Sequence, residues 1–297
     1  MNQIDQGQAG ADGDAAIFWT HPRFTDMSLL KARFRKHRYE LHTHPTYVVA
    51  LITQGCEQLR IGRRRAIATA GTIIVVNPEE CHDGEPGADA GWAYRVLYPP
   101  VGLMEEWAAE LGLPGAPVFC HSCIDDPVLA TAVMAAHRAA ETDDREDAEA
   151  ALLVAMERLI RGHGDGRGCL QPTGDHLAGR RRMALYRCLL DQELDGAASL
   201  AQLAKAAGVS RFQVIRDFKQ QTGLTAEAYV RNRRLREASH LIEKGAELAE
   251  AAAAAGFADQ SHLSRVFRSI RGITPGMYRA AFARDHRAPA DRLLGLA

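Results

Sequence analysis

Three histidines carry the clearest capacity for chemistry in the first half of this 297-residue chain. His42 and His44 stand two apart with Tyr47 close behind, and His82 follows in the run Asn77-Pro78-Glu79-Glu80-Cys81-His82-Asp83-Gly84. The spacing puts two imidazoles near one strand, with a third arriving from a distant turn. Neutral imidazoles grouped in this way have three uses. They line a pocket for a small polar effector together with Tyr47, they ligate a divalent metal, or they hydrogen-bond as structural residues around a filled barrel. All three readings stay open at this point. Cys120-His121-Ser122-Cys123 has the spacing of a redox pair or half a zinc site, but no second C-x-x-C exists, so a functional thiol role is not expected. The six cysteines, irregularly spaced, are expected to be reduced thiols.

The second half offers a different chemistry. Ser199 and Gln202 form a capping box ahead of a short apolar helix that ends at Gly208, and Ser210 opens a second helix with its own box to Gln213. Two short helices around a glycine turn are the grammar of helix-turn-helix. The pattern returns downstream: Leu200, Ala204 and Gly208 match Leu248, Ala252 and Gly256 at an offset of 48. Arg216, Phe218, Lys219, Gly223 and Thr225 match Arg265, Phe267, Arg268, Gly272 and Thr274 at 49. The change of offset falls inside the turn, so the second turn is one residue longer. Between the units, Ala226 to Lys244 reads as one helix capped by Thr225. It spans about 28 Å at ~1.5 Å per residue, near the ~34 Å between successive major-groove faces.

With Val214 and Phe218 inside, Arg211, Phe212, Ile215, Arg216 and Lys219 face outward. With Leu263 and Phe267 inside, the outward set is Gln260, Ser261, His262, Ser264 and Arg265. Arg211 and Lys219 suit phosphates, Arg216 and Arg265 a guanine edge or a phosphate, Gln260 an adenine, and Phe212 and Ile215 a thymine methyl. Gln213 joins the candidate set at the helix start.

The elements that position these residues divide at Gly162-His163-Gly164-Asp165-Gly166-Arg167-Gly168, the best linker in the sequence. Before it, Tyr47 to Thr53 and Thr72 to Val76 are β-branched runs bounded by Gly55, Gly71 and Pro78, as in a small barrel or sandwich. Helices follow at Leu103 to Leu111, Val128 to Ala140 and Ala148 to Ile160, and their apolar faces suit either a dimer interface or the outside of the barrel. Asp143-Asp144-Arg145-Glu146-Asp147 reads as a helix-entry loop. After the linker no strand is expected.

Composition supports this division. Hydrophobic residues at 46% and charged residues at 25% exclude a wholly disordered or disulfide-framework chain. The net charge of -1 is a sum of unlike halves: 16 basic and 25 acidic residues up to Asp175 give -9, and 20 basic against 12 acidic beyond it give +8. Such asymmetry points to a nucleic-acid-facing half. No run reaches the length of a membrane span and Met1 to Ala16 lacks an apolar core, so a cytoplasmic location is expected.

The stretch from Leu200 to Tyr278 resembles the DNA-binding domain of the AraC/XylS transcription regulators. It carries Gly256-Phe257-Ala258-Asp259-Gln260-Ser261-His262-Leu263-Ser264-Arg265-Val266-Phe267-Arg268, then Gly272-Ile273-Thr274-Pro275 and Tyr278. The His42/His44 and Gly71 to Gly84 segments resemble the two cupin motifs of the effector domain in that family. The metal-binding cupin pattern also has a Glu four or five residues after the second His, where Val48 and Val49 stand here, so no metal and no cofactor are expected.

The resemblance implies an α+β chain of two domains, a cupin-like β-barrel with following helices and an all-α tandem helix-turn-helix. The expected bounds are a disordered tail at 1–16, the effector domain at 17–163, a flexible linker at 164–178, the DNA-binding domain at 179–284 and a tail at 285–297. It implies a non-enzymatic regulator that binds double-stranded DNA and a small-molecule effector as a homodimer, with RNA polymerase as a further partner. The alternative is a metal-dependent cupin enzyme fused to a helical DNA-binding domain.

Overall fold

The computed structural model describes residues 13–142, 144–164, 175–192 and 199–283. The first half is a barrel-like sheet of nine strands. They are β1 (Ala15–Thr20), β2 (Ser28–Phe34), β3 (Tyr39–His42), β4 (Val48–Ile61), β5 (Arg64–Thr69), β6 (Ile73–Val76), β7 (His82–Pro86), β8 (Trp92–Tyr98) and β9 (Cys123–Ile124). The long β4 joins two layers. Its first half lies antiparallel to β6 and β8, and its second half pairs β5 and β7, with β3 outside β7. The strand turns from one layer to the other at Gly55. Gly55 has φ 67°, and a Cβ there would lie 2.0 Å from the Gly91 carbonyl oxygen, so only glycine fits the bend.

The two faces of the sheet bury different partners, as the period of two along a strand requires. Leu29, Val49, Leu51, Val75 and Leu97 pack against the helices that follow the sheet: α1 (Val101–Glu110), α2 (Pro127–Ala139) and α3 (Arg145–His163). The apolar stripe of α2 and α3, including Leu129, Val133, Ala136, Leu152 and Met156, is thereby covered by the barrel's own outside. Val128, Leu153 and Val154 remain exposed. Caps fix the helix starts: Asp126 accepts from the Val128 and Leu129 amides, and Asp144 from the Glu146 and Asp147 amides.

The second half is helical throughout its described residues. Its elements are α4 (Asp175–Gln192), α5 (Leu200–Ala207), α6 (Arg211–Thr222), α7 (Ala226–Glu243), α8 (Leu248–Ala254), α9 (Gln260–Arg271) and α10 (Pro275–Phe282). The capping box between Ser199 and Gln202 forms in both directions, and Gly208 closes α5 in the left-handed conformation. Helices α4, α5 and α6 enclose a small core of Met183, Tyr186, Leu190, Leu203, Val214 and Phe218. The second unit is built differently: Leu235, Ala238, Ile242, Ala252, Leu263, Phe267, Ile270 and Tyr278 share one continuous core with Leu30, Phe34, Val48 and Trp92 of the barrel.

Several expectations are corrected here. Ala15 and Ala16 belong to β1 rather than to an N-terminal tail, and α4 starts at Asp175, inside the segment expected to be linker. Residues 1–12, 165–174 and 284–297 lie outside the described residues. Cys120 is disulfide-bonded, against the expectation of reduced thiols, while Cys123 is free, so the C-x-x-C cysteines are not paired with each other.

Candidate ligand cavity and nucleic-acid interface

His42 ends β3, His82 begins β7, and the two are register partners, which brings their ring centroids to 4.3 Å. His44 follows on the connection to β4, with its Nε2 3.0 Å from that of His42. Ring nitrogens of all three lie within 4.8 Å of one another. Nδ1 of His42 is 2.6 Å from the Glu40 carbonyl and Nδ1 of His82 is 2.9 Å from the Glu80 carbonyl. A carbonyl only accepts, so these Nδ1 atoms carry the proton. Burial drives the pKa of each imidazole below its ordinary value, and the neighbouring rings push those of His42 and His44 further down.

The cluster lines a cavity of about 60 Å³ with Tyr39, Val48, Glu57, Ile74, Tyr94 and Tyr98. Tyr39 and Tyr94 share a hydroxyl hydrogen bond of 2.6 Å. Glu57 is buried, and desolvation followed by the nearby Asp83 charge raises its carboxyl to about 8. Part of the wall comes from the other half of the chain, through Ile270, Arg271 and Ile273 at the end of α9. Beside it lies a cavity of about 540 Å³ at the seam between the halves, sharing Phe18, Tyr98 and Arg271 and edged by Arg233, Arg234 and Arg236 of α7. Arg271 stacks over Phe267 and Tyr278, and its Nε has no hydrogen-bond partner.

Polar contacts hold the seam. Arg236 donates to both Glu79 carboxylate oxygens, at 2.8 and 2.7 Å, and to the Thr43 hydroxyl at 2.5 Å. Asn232 accepts from the Thr43 amide at 3.3 Å, and Arg231 pairs with Glu40 at 2.5 Å. Two glycines close the fit. Gly223 after α6 and Gly272 after α9 occupy the same place in the repeat, and both are left-handed. A Cβ on Gly223 would lie 2.8 Å from Cys81, and one on Gly272 would lie 2.4 Å from the Tyr39 hydroxyl.

On the far side, α6 and α9 present polar faces. Arg211, Phe212, Ile215, Arg216 and Lys219 are exposed on α6, with Phe212 at 74% despite its apolar ring. Gln260, Ser261 and Arg265 are exposed on α9, while Ser264 and His262 are half-buried and His262 packs edge-on against Phe257. A fully buried acid, Asp217, anchors α6 from behind. It accepts from Arg182 at 2.6 and 2.7 Å, from Tyr186 at 3.0 Å and from Gln213 at 2.8 Å. Burial alone would raise its pKa, but Arg182, Gln213 and Tyr186 outweigh it and hold the carboxyl below the ordinary range. The Gln213 side chain thus faces Asp217 and Arg216 and does not complete a capping box with Ser210, whose hydroxyl still accepts from the Gln213 amide.

Two exposed, tandem recognition-type helices on a barrel with an internal cavity match two family models, one for an AraC-like ligand binding domain over residues 24–159 and one for a helix-turn-helix domain over residues 203–281. The chain belongs to the AraC-type transcriptional regulators. It resembles the HTH-type transcriptional activator RhaR of Klebsiella pneumoniae, at 26% identity over 87% of this chain and 93% of that one. It also resembles the HTH-type regulator YbfI of Bacillus subtilis, at 25% identity over 76% and 82% of the two chains. The solved structure of ToxT from Vibrio cholerae O395 shares the fold, with a TM-score of 0.50 and 11% identity over 91% of this chain and 98% of ToxT.

Within this AraC-type chain, one predicted cavity residue is misplaced. Tyr47 does not meet the histidines. It precedes β4 on the opposite face, where its hydroxyl donates to the Pro117 carbonyl at 2.7 Å and its ring packs edge-on against Phe119. Its aromatic ring and closeness to His44 suggested the pocket, and the strand alternation of β4 sends it the other way. The residues the sequence reading missed are Tyr39, Glu57, Tyr94, Tyr98 and Arg271. Tyr39 stands three residues before His42, out of phase with it by simple alternation, and the irregularity of β3 between the two lets both line the cavity; Arg271 arrives from a distant domain, and neither has a usable local signal.

Proposed function

We propose that this transcriptional regulator senses a small molecule at the domain seam and transmits its presence to two DNA-reading helices. The observation that carries the reading is the shared wall: Phe18, Pro45 and Tyr98 of the barrel half and Arg233, Arg236 and Arg271 of the helix-turn-helix half line one seam cavity. An occupant of the seam touches both halves at once, so it binds differently when their arrangement changes, which is the requirement for coupling. The seam cavity of about 540 Å³ falls within the range for small-molecule sites, and it adjoins the histidine cavity, with which it shares Phe18, Tyr98 and Arg271.

On the DNA side, Arg211, Arg216 and Lys219 of α6 and Arg265 of α9 serve as phosphate or guanine contacts. Phe212 and Ile215 meet thymine methyls, and Gln260 and Ser261 meet base edges. Gln213 and His262 position these helices from within. The chain acts as a cytoplasmic, non-catalytic homodimer, with the exposed Val128, Leu153 and Val154 of α2 and α3 at the interface and RNA polymerase as a partner of the DNA-bound form. The likeness to RhaR supports an activating outcome. Mobility shift on the DNA upstream of its own gene, with and without a library of small metabolites, tests the reading: a sequence-specific shift altered by at least one metabolite is expected, and no shift under any condition refutes it.

A further inference from the structure

The histidine cluster is built for more than lining a wall. The Nδ1 protons of His42 and His82 are committed to the Glu40 and Glu80 carbonyls, at 2.6 and 2.9 Å. Their Nε2 atoms are therefore bare lone pairs turned toward the cavity. A metal-ligating histidine has this arrangement, its outer nitrogen held by a backbone carbonyl so that the inner one is fixed as a donor to the ion. Nε2 of His44 lies 3.0 Å from that of His42. Two nitrogens on one ion at ~2.0–2.1 Å each stand about 3.0–3.4 Å apart. A single proton on His44 can satisfy only one of the two bare lone pairs, whereas a cation satisfies all three nitrogens together.

The surroundings add a carboxyl. Glu57 brings a buried carboxyl into the same cavity, and Gly84, two residues after His82 on β7, leaves the room for it: a Cβ there would lie 2.1 Å from the carboxyl oxygen. The position four after His44, where the metal-binding cupin pattern has its Glu, is occupied by the apolar Val48, which faces the same cavity. The carboxyl arrives instead from further along β4. The size of the space agrees: about 60 Å³ holds an ion with one or two waters and is far below what an organic effector needs.

We propose that His42, His44 and His82 bind one divalent first-row transition-metal ion through their Nε2 atoms, with the Glu57 carboxyl beside them in the same cavity. The ion lies in the cavity walled by Ile270, Arg271 and Ile273, next to the seam cavity across Phe18, Tyr98 and Arg271, where an anionic or polar group of an effector reaches toward it. That regulatory consequence rests on the reading of the seam as the effector site; the ion itself does not.

The test uses the full chain, stripped with a chelator and titrated with Co(II), followed by visible absorption, and separately with Zn(II), followed by metal analysis. One equivalent per chain is expected, with His44→Gln and His82→Gln each losing at least tenfold in affinity at unchanged circular dichroism, and Glu57→Gln weakening binding by a smaller factor. X-ray absorption on the Zn(II)-loaded wild type needs no variant and is expected to return three imidazole nitrogens. Less than about a tenth of an equivalent bound at micromolar free ion, equal binding by both histidine variants, or a first shell containing sulfur would overturn the proposal. A mobility shift indifferent to the bound ion would count against the effector reading of the seam and leave these direct measurements to decide the site.

Discussion

Asp217 is the residue whose removal should most damage DNA reading without touching DNA. It is fully buried behind α6 and accepts four hydrogen bonds, two of them from the Arg182 guanidinium. Removing one member of a buried pair costs about 3–5 kcal/mol, because the partner charge is left uncompensated. Arg182 keeps 26% of its side chain exposed and regains some water, so we expect about 3 kcal/mol for Asp217→Ala. Asp217→Asn keeps the shape but sets an amide donor against guanidinium donors, and about 2 kcal/mol is expected for it. The α4–α5–α6 core is small, so either loss is a large share of its local stability. At ~1.4 kcal/mol per decade the opening equilibrium of this unit rises roughly thirtyfold to a hundredfold. Hydrogen exchange should register that rise in α5 and α6 and leave β4 and α9 unchanged. A uniform change over the whole chain, or a local change below threefold for both variants, would refute the reasoning.

Other outcomes follow from the same geometry. Arg265→Ala should weaken binding to the regulator's DNA and reduce the slope of log affinity against log salt by about one; an unchanged salt titration would remove it from the contact set. Glu141 sits among Arg95, His137 and Lys31, and although burial raises its pKa, the adjacent His137 at 3.6 Å, the Arg95 hydrogen bond and the Arg95 and Lys31 charges outweigh this and lower it from 4.5 to about 2. Its stabilisation, up to about 3 kcal/mol, is present above pH 4.5 and lost as pH falls toward 2. The gap in melting temperature between wild type and Glu141→Gln should therefore be wide at pH 7 and narrow near pH 3.

Much of the architecture was legible because it is written in local rules. The offset of 48 shifting to 49 corresponds to Gly208 lying three residues before α6 and Gly256 four before α9, and the apolar stripes placed Val214, Phe218, Leu263 and Phe267 in the core. The nearness of His42 and His44 was legible from their spacing, and the arrival of His82 beside them was implied by the resemblance to the two cupin motifs. What escaped reading depends on distant chain segments. Tyr47 lies on the side of the sheet that alternation assigns to the helices. Asp217 looked like any surface acid until Arg182, 35 residues earlier, was folded against it. The two halves were expected to be joined by a flexible linker, yet Gly223 and Gly272 fit against the barrel, a fact that helical grammar accounts for only as helix caps.

The seam also constrains how the regulator works. Docking leaves the outward faces of α6 and α9 exposed, so the barrel does not mask them; it fixes their mutual placement through the two turn glycines and the Arg236 fork. A pre-arranged pair of reading helices loses less freedom on binding DNA. The most direct test is DNA affinity across a double-mutant cycle of Arg236→Ala and Glu79→Ala. The pair is partly exposed, at 33% and 58%, and bidentate, so about 1 kcal/mol is expected for it. Each single variant should weaken DNA binding about fivefold, and the double variant should weaken it no further than either single one. Unchanged affinity in all three, or losses that simply multiply, would contradict a seam that sets the geometry of DNA reading.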